Sequence, residues 1–291
     1  MPHVLEGLKD PTVKKFVLKL LVRGYGNYSI PQRVPERVIK FLKQTYRHPN
    51  TAIGKIYDEM PEFKNENSIF WRGRNKYYRG NFRHLEILKL ISGEIRGERI
   101  LEVGCGENRL GSIVVKKRSI KKYIGTDVLS HEHVLEGGKL EFKRQPKLYK
   151  VPVRAKSIDT LLIIDALHHV NRQDQEIFIS EAYSKLKQGG RAVIIEFTFS
   201  EAGGGSYGRK LAHEFKMLSK KQKFMVMGII DWMGNSLMKG TGINMPYSYR
   251  TMEEWERLFR SMGIQVVRSE YLGFLTKLFH PGPYGLFVLG K

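Results

Sequence analysis

Cysteine is scarce in this sequence. Cys105 is the single cysteine among 291 residues, which excludes an internal disulfide framework and a zinc site built from several thiolates. No stretch has the run of apolar residues that a membrane span requires. The start, MPHVLEGLKDPTVKK, lacks the apolar core and the cleavage site of a signal peptide. We therefore expect a cytoplasmic protein, long enough to bury a full hydrophobic core.

Acidic residues are also few. The chain has 29 Asp and Glu against 50 Lys and Arg, so its formal net charge is +21. An excess of this size predicts the kind of partner rather than the fold, and the commonest polyanion in a cell is nucleic acid. Thermophilic proteins also carry many surface ions, but that alternative requires charges of both signs and no imbalance.

One stretch, FWRGRNKYYRGNFRHL at residues 70–85, contains no acid at all. Aromatic rings that stack on bases, interleaved with cations that bind phosphates, are typical of a platform for single-stranded RNA. A second hypothesis is that Tyr77 or Tyr78 covers the adenosine of a cofactor while the arginines face outward, and the two hypotheses are compatible. The residues predicted to bind RNA are Arg72, Arg74, Lys76, Tyr78, Arg79 and Arg83.

A glycine turn organises the rest of the chain. Residues 99–110, RILEVGCGENRL, predict a strand, then a turn at Gly104 and Gly106, then a helix. Glycines allow the backbone to approach a ligand closely, and the start of the helix offers N–H donors. The third glycine of a dinucleotide fingerprint and the Gly-Lys-Ser/Thr of a phosphate loop are both missing.

Further strands follow this turn. Residues 121–129, KKYIGTDVL, predict a strand that ends on Asp127, a position suited to bind a ribose diol. The almost wholly apolar strand Ile158–Ile164 is predicted to be buried on both faces and leads into Asp165. We predict a helix over Asp174–Lys187, stopped by Gly189 and Gly190, before the strand RAVIIEF. Alternating strands and helices predict an α/β doubly wound sheet with its ligands at the carboxyl ends of the strands.

In order and spacing, the motifs LEVGCG, IGTDVL, DALHHV and LKQGGRAVIIEF resemble those of class I S-adenosylmethionine-dependent methyltransferases. The similarity extends over residues 96–291 and is greatest to the branch that methylates quinones and small molecules. It implies a Rossmann-like, mostly parallel seven-stranded sheet and S-adenosylmethionine as the cofactor. The residues that it implies around the cofactor are Glu102, Gly104, Cys105 and Gly106 on the methionine side, Asp127 at the ribose, Val128 at the adenine, and also Asp165 and Ala166.

Asp165 is our first candidate for catalysis, because strand ends in this fold point into the site, and His168 is the second. A neutral imidazole there is suited to act as a general base, although His168 packed under the sheet edge is the alternative. Cys105 lies in the cofactor turn, on the wrong side for the thiolate attack that methylation of a pyrimidine C5 requires. No His, Cys and carboxylate cluster has metal-ligand spacing, so we predict no metal.

Two further pieces frame the predicted core of residues 96–291. Residues 1–95 are predicted as a basic, mainly helical region that binds RNA, covers the cofactor, or does both. An insertion after the fifth strand, residues 198–250, contains the methionine-rich FMVMGIIDWMGNSLM. This segment either folds over the acceptor or forms one more core helix.

These observations predict a methyltransferase for RNA, with ribosomal RNA or a ribosomal particle as partner and a base nitrogen such as cytidine N4 as acceptor. A small-molecule, lipid or quinone methyltransferase is the first alternative, but it leaves the charge unexplained. A non-catalytic RNA-binding protein on the same fold is the second. The nucleotide and the oligomeric state stay open.

Overall fold

The computed structural model of the protein describes residues 4–45, 58, 65, 68, 72, 81–131, 133–237, 245–277 and 281–291. The chain forms two compact units. The first comprises Met1–Phe82, Gly203–Ile243 and Gly273–Pro283, and the second comprises Arg83–Ala202, Asn244–Leu272 and Tyr284–Lys291. None of the helices in the described ranges is both long enough and apolar enough to cross a membrane.

The second unit is built on one seven-stranded sheet. Its strands are β1 (Arg99–Val103), β2 (Lys122–Asp127), β3 (Leu140–Arg144), β4 (Ile158–Ile164), β5 (Leu186–Phe197), β6 (Gln265–Phe274) and β7 (Pro283–Gly290). The strand order is β3-β2-β1-β4-β5-β7-β6, and the first five are parallel to one another while β7 runs antiparallel to β5. The predicted α/β, doubly wound and mostly parallel seven-stranded sheet is confirmed.

Eight α-helices are present in the described ranges: α1 (Pro11–Gly26), α2 (Arg33–Thr45), α3 (Phe82–Ile91), α4 (Arg109–Val114), α5 (Gln175–Ser184), α6 (Arg209–Lys216), α7 (Lys220–Trp232) and α8 (Met252–Ser261). Short 3₁₀ helices span Val4–Lys9 and Leu167–His169. Helix α8 begins with a complete capping box, in which the side chains of Thr251 and Glu254 each bond the other residue's backbone N–H. This start agrees with the pattern TMEE.

Helices cover the sheet because its central strands are apolar on both faces. In β4 every residue but Asp159 is buried, as expected of a strand between two layers of helices. On one face Trp255 and Phe259 of α8 stack on each other, and Phe259 contacts Phe287 of β7 edge to face.

The predicted boundary between α5 and β5 is wrong. We expected a helix over Asp174–Lys187 stopped by Gly189 and Gly190, but α5 ends at Ser184 and β5 begins at Leu186. Leu186 pairs with Ile158, and the next paired residues are Arg191 and Thr160, so the glycines lie in an irregularity inside the strand. Tertiary pairing therefore overrides the local stop signal here.

The first unit has a helical core of its own. Leu5, Val17 and Leu20 are fully buried, and so is Met227 of the methionine-rich segment. A side chain at Gly7 would lie 3.0 Å from Met225 Cβ, so the 3₁₀ helix packs closely on α7. Within this unit residues 224–232 of the methionine-rich segment belong to the core helix α7, in agreement with the second of the two alternatives. The predicted division at residue 95 and the insertion 198–250 stay predictions, since the first unit combines parts of both.

Candidate functional site

The site lies at the carboxyl ends of neighbouring strands. Strands β2, β1, β4 and β5 are adjacent in the sheet and parallel. Their last residues therefore meet at one edge, where ligands bind in open α/β sheets. Glu102, Asp127 and Asp165 all lie at this edge, each at the end of its strand or directly after it.

The glycine turn after β1 is closely packed on one side and open on the other. Gly104 has a φ of +79°, and a Cβ added there would lie 2.8 Å from the Cβ of Ala166. Gly106 has a φ of +56°, and a Cβ added there would meet nothing within 4 Å. Both positions require left-handed backbone, which glycine adopts without strain. The turn thus forms a cradle with free space above Gly106.

Asp127 is held by two backbone N–H groups. Its Oδ2 accepts a hydrogen bond from the Gly106 N–H at 2.9 Å, and its Oδ1 accepts one from the Leu129 N–H at 2.8 Å. Burial tends to raise the pKa of Asp127, but the His131 imidazole and these backbone donors outweigh burial and lower it. Asp127 is therefore ionised at neutral pH and is suited to accept hydrogen bonds from a diol.

Glu102 has a different environment, although it lies in the neighbouring strand. It is buried and accepts a hydrogen bond from the Tyr123 hydroxyl at 2.6 Å. Burial raises the pKa of Glu102 to about 8, even though Tyr123 and the charge of Arg83 act in the opposite direction. Its carboxyl group is therefore largely protonated at neutral pH unless a cation comes close.

Cys105 is inert in this setting. Burial raises the pKa of its thiol, and the negative charges of Glu102 and Asp127 act in the same direction. A thiol of this kind does not supply the thiolate that nucleophilic attack requires. This environment agrees with the interpretation of Cys105 as a small side chain in the cofactor turn.

Asp165 follows β4 in left-handed backbone, with a φ of +57°. Its backbone N–H donates to the Ile195 carbonyl of β5, and its Oδ2 lies 2.7 Å from Nη2 of Arg83 and 3.5 Å from the Tyr284 hydroxyl. A non-glycine residue held in this conformation is uncommon and is often found at functional sites. Arg83, predicted to bind RNA, thus contacts the candidate for catalysis.

His168 lies in the 3₁₀ helix that follows Asp165 and is buried. Its Nδ1 is hydrogen-bonded to Glu196 Oε1 and lies 3.9 Å from Asp165 Oδ1. Glu196 is fully buried and also accepts hydrogen bonds from the N–H groups of Leu167 and Phe197, each at 2.8 Å. Glu196 therefore links His168 to the backbone that follows β4 and to the end of β5.

The ligand atoms of Asp165, His168 and Glu196 all lie within 4.8 Å of one another. This is the spacing of a possible metal site. However, Glu196 already has hydrogen-bond partners for both of its buried carboxylate oxygens, namely His168 and two backbone N–H groups. The predicted absence of a metal stays a prediction.

Aromatic side chains continue the site beyond Asp165. The ring of Phe197 lies 5.3 Å from that of Tyr284 and 5.8 Å from that of Tyr249, and the Tyr249 ring stacks on His168 at 5.7 Å. Tyr247, two residues earlier, has a φ of +51°. The rings of Phe197, Tyr249 and Tyr284 form an aromatic wall that reaches Asp165 through the Tyr284 hydroxyl.

Several of these residues could not be found from the sequence. Glu196 had one weak signal, an acid inside the apolar strand RAVIIEF, while Tyr123, Tyr249 and Tyr284 had none. Of the residues predicted to bind RNA, only Arg72 and Arg83 are described. Arg74, Lys76, Tyr78 and Arg79 lie outside the described residues.

Comparisons with known proteins agree with this geometry. The family model described as a methyltransferase domain matches residues 101–194, the span from the middle of β1 into the second half of β5. No curated protein sequence matches the chain.

Three solved structures of low sequence identity are similar to this chain. One is a chain of the Haloferax volcanii complex that contains the Trm112 methyltransferase activator, with 12% identity, coverage of 75% of this chain and 94% of that chain, and a TM-score of 0.49. Another is Haemonchus contortus phosphoethanolamine N-methyltransferase 2 with S-adenosyl-L-methionine, with 15% identity, coverage of 72% and 52%, and a TM-score of 0.48. The third is a Mesorhizobium loti S-adenosylmethionine-dependent methyltransferase, with 17% identity, coverage of 71% and 96%, and a TM-score of 0.47.

The features of the site fit the cofactor of this family. The turn leaves open space at Gly106, where a side chain would otherwise stand, and Asp127 is an ionised acceptor at the next strand end. The domain match lies over these same strands. The chain therefore contains a methyltransferase domain over residues 101–194, and the site formed there is suited to bind S-adenosylmethionine.

Proposed function

We propose that this enzyme methylates RNA, ribosomal RNA in particular, at a base nitrogen. The observation that carries the proposal is the charge, with 50 Lys and Arg against 29 Asp and Glu. A cationic surface attracts a polyanion over long distances and raises the rate of encounter. A small neutral acceptor has no use for such an excess.

In this proposal the cofactor is held by the half of the site around β1 and β2. Asp127 binds the ribose hydroxyls, Val128 lies against the adenine, and the turn from Gly104 to Gly106 lies along the methionine part with Ala166 beside it. S-adenosylmethionine supplies a methyl group on a positively charged sulfur. The protein's task is to align the acceptor with that methyl and to exclude water.

The ion pair of Arg83 and Asp165 is complementary to the methionine end of the cofactor. That end carries an ammonium and a carboxylate group, and the pair offers a carboxylate and a guanidinium 2.7 Å apart. Both side chains are about one-fifth exposed, so a ligand can reach them. Arg83 is thus assigned to the carboxylate, and Asp165 and Glu102 to the positive charges.

Asp165 also faces the acceptor. Its carboxylate can accept a hydrogen bond from an exocyclic amine such as cytidine N4 and so orient the nitrogen lone pair. His168 and Glu196 hold the turn that carries Asp165, and His168 stays the second candidate for catalysis. The protonated thiol of Cys105 disfavours pyrimidine C5 as the acceptor.

A small-molecule acceptor is the second candidate function. It is favoured by the aromatic wall of Phe197, Tyr249 and Tyr284, which suits any flat ring. The two candidates differ in which cellular fraction the enzyme modifies.

The deciding experiment supplies the enzyme with methyl-labelled S-adenosylmethionine and three fractions of a strain that lacks the gene: RNA, protein, and extracted small molecules and lipids. We expect label in ribosomal RNA, and mass spectrometry of its nucleosides should find a base methylated on nitrogen. Label confined to the small-molecule fraction would overturn the RNA proposal. The Asp127→Ala variant is the control for enzyme-dependent labelling.

A further inference from the structure

We infer that the groove between α1 and α2 binds the phosphate backbone of RNA, an inference that rests on the proposed RNA substrate. The groove belongs to the first compact unit and has a volume of about 480 Å³. Both helices contribute to its lining, which consists of Lys14, Leu18, Glu36, Ile39, Lys40 and Lys43. None of these residues belongs to the stretch 70–85 in which the sequence predicted RNA contacts.

The groove is cationic because α1 contains no acid and α2 contains one. Three lysines line it against the single carboxylate of Glu36. Within the described residues, the ammonium groups of Lys14, Lys40 and Lys43 make no ion pair. Lys19, one helical turn beyond Lys15 on α1, is instead bonded to Glu214. The lysines of the groove are therefore available to a partner, whereas Lys19 is neutralised within the protein.

The spacing of the lysines suits a repeating anion. Lys14 lies one turn from Leu18, and Lys43 lies one turn from Ile39, so charged and apolar side chains alternate along both walls. Lysine stems can pack along an apolar floor while the ammonium groups reach outward. A ribose-phosphate chain offers the matching sequence of apolar sugar faces and charged phosphates.

The small apolar surface of the groove favours RNA over an anionic amphiphile as the occupant. The apolar part of the lining is two side chains, of which Ile39 is almost fully buried, so little apolar surface remains for an acyl chain. Contacts of lysine ammonium groups with phosphates carry no sequence information. The groove is thus expected to hold RNA in place without reading its bases.

The test compares two triple variants of the full-length enzyme. The groove variant is Lys14→Glu, Lys40→Glu and Lys43→Glu, and the control is Lys210→Glu, Lys216→Glu and Lys221→Glu. The control changes three exposed lysines of the same unit. Each triple variant removes six charges from +21, so the loss of long-range attraction is equal. Binding of ribosomal RNA is then measured by filter retention at several salt concentrations.

We expect the groove variant to bind RNA at least tenfold more weakly than the control. Its plot of log affinity against log salt should also be flatter by about 2, since each lost phosphate contact removes about 0.7 from the slope for a single strand. Equal affinities and slopes in the two variants would overturn the inference. If the wild type binds no RNA either, the proposed function itself fails.

Two further measurements complete the design. Calorimetric titration with S-adenosylmethionine checks that each variant is folded, and a Lys→Gln triple variant replaces any glutamate variant that is not. Sedimentation with vesicles of phosphatidylcholine and 30% phosphatidylglycerol tests the lipid alternative. Loss of vesicle binding in the groove variant, with RNA binding equal to that of the control, would assign the groove to an anionic lipid and overturn the inference.

Discussion

The two halves of the site are built in different ways. In the cofactor half, around β1 and β2, Asp127 is held by backbone N–H groups of Gly106 and Leu129, both within about 20 residues of it. In the acceptor half, Asp165 is held by side chains that are distant in sequence, Arg83 and Tyr284. Backbone donors stay in place when side chains change, so the first half is expected to tolerate mutation around it and the second is not.

The largest expected effect lies in the acceptor half. Asp165→Asn should lower turnover by about 10²-fold or more, because the loss of a positioned acid or base has effects of about 10²–10⁴. Asparagine tolerates left-handed backbone, so it preserves the turn at a φ of +57° where alanine would add strain. Single-turnover rates and calorimetric affinity for S-adenosylmethionine, measured side by side, check this prediction.

Asp174 supplies the control for this change, since it is an acid shortly after Asp165 that precedes α5. Asp174→Asn should leave turnover near the wild-type rate. A near-normal single-turnover rate in Asp165→Asn would move the role elsewhere, and His168 would be the next residue to change. A loss of cofactor affinity with a normal single-turnover rate at saturating S-adenosylmethionine would restrict Asp165 to its contact with the cofactor.

The next effect concerns the cofactor half. Asp127→Ala should weaken S-adenosylmethionine binding by about 1.5–3 kcal/mol, the range for hydrogen bonds to a charged group. Asp159→Ala is the matched control, because Asp159 also accepts two backbone N–H groups, those of Glu98 and Arg99. It lies at the amino end of β4, so its loss should lower stability and leave cofactor affinity unchanged.

Calorimetry on both folded variants gives the comparison. Unchanged affinity in Asp127→Ala would remove Asp127 from the ribose site. Equal losses of S-adenosylmethionine affinity in Asp127→Ala and Asp159→Ala would mean that both changes act by disturbing the sheet. Asp127 would then have no specific role in cofactor binding.

The distance in sequence between a site residue and its partners determines which parts of the site could be predicted from the sequence. The cofactor half was predicted, because its strand, its glycine turn and the acid at the next strand end lie within one short segment of the chain. Asp165 was found in the same way. Its partners were not, since Arg83, Glu196 and Tyr284 reach it or its turn through the packing of the sheet, and no local period indicates which residues meet across β4, β5 and β7.

The boundaries of the helices and strands could also be predicted only in part. The strands β2 and β4 were predicted to end at Asp127 and Ile164, and both end there. The end of α5 was wrong because the pairing of Leu186 with Ile158 extends β5 toward the helix, past Gly189 and Gly190. Local signals thus specify elements, whereas pairing decides their limits.

The next prediction concerns Glu102 and the dependence of S-adenosylmethionine binding on pH. The pKa of Glu102 is raised to about 8 by burial, so below that pH its carboxyl group is mostly neutral and attracts a sulfonium or ammonium ion weakly. Affinity for S-adenosylmethionine should therefore increase roughly tenfold as pH rises from one unit below this value to above it. Calorimetry in two buffers of different ionisation enthalpy should detect proton release on binding.

Glu102→Gln should abolish both the pH dependence and the proton release, since glutamine does not titrate. Glu107→Gln is the control, because Glu107 lies in the same segment but is paired with Arg109 and partly exposed. A pH dependence that persists in Glu102→Gln would mean that another group of the site is responsible.

The smallest effect isolates the glycine turn itself. Gly106 and Gly138 have nearly the same backbone, with φ of +56° and +57°, and a Cβ at either would meet nothing within 4 Å. Alanine at either position should thus lower the free energy of unfolding by about 1 kcal/mol, the cost of left-handed backbone for a residue with a Cβ. Only at Gly106 should alanine also weaken S-adenosylmethionine binding, because the new methyl group fills space that the cofactor needs.

Denaturant unfolding measures the free energy of unfolding of both variants, and calorimetry measures their affinity for S-adenosylmethionine. Equal stability losses with a selective loss of affinity in Gly106→Ala support the cradle, whereas unchanged affinity in both variants would leave the open space above Gly106 without a ligand.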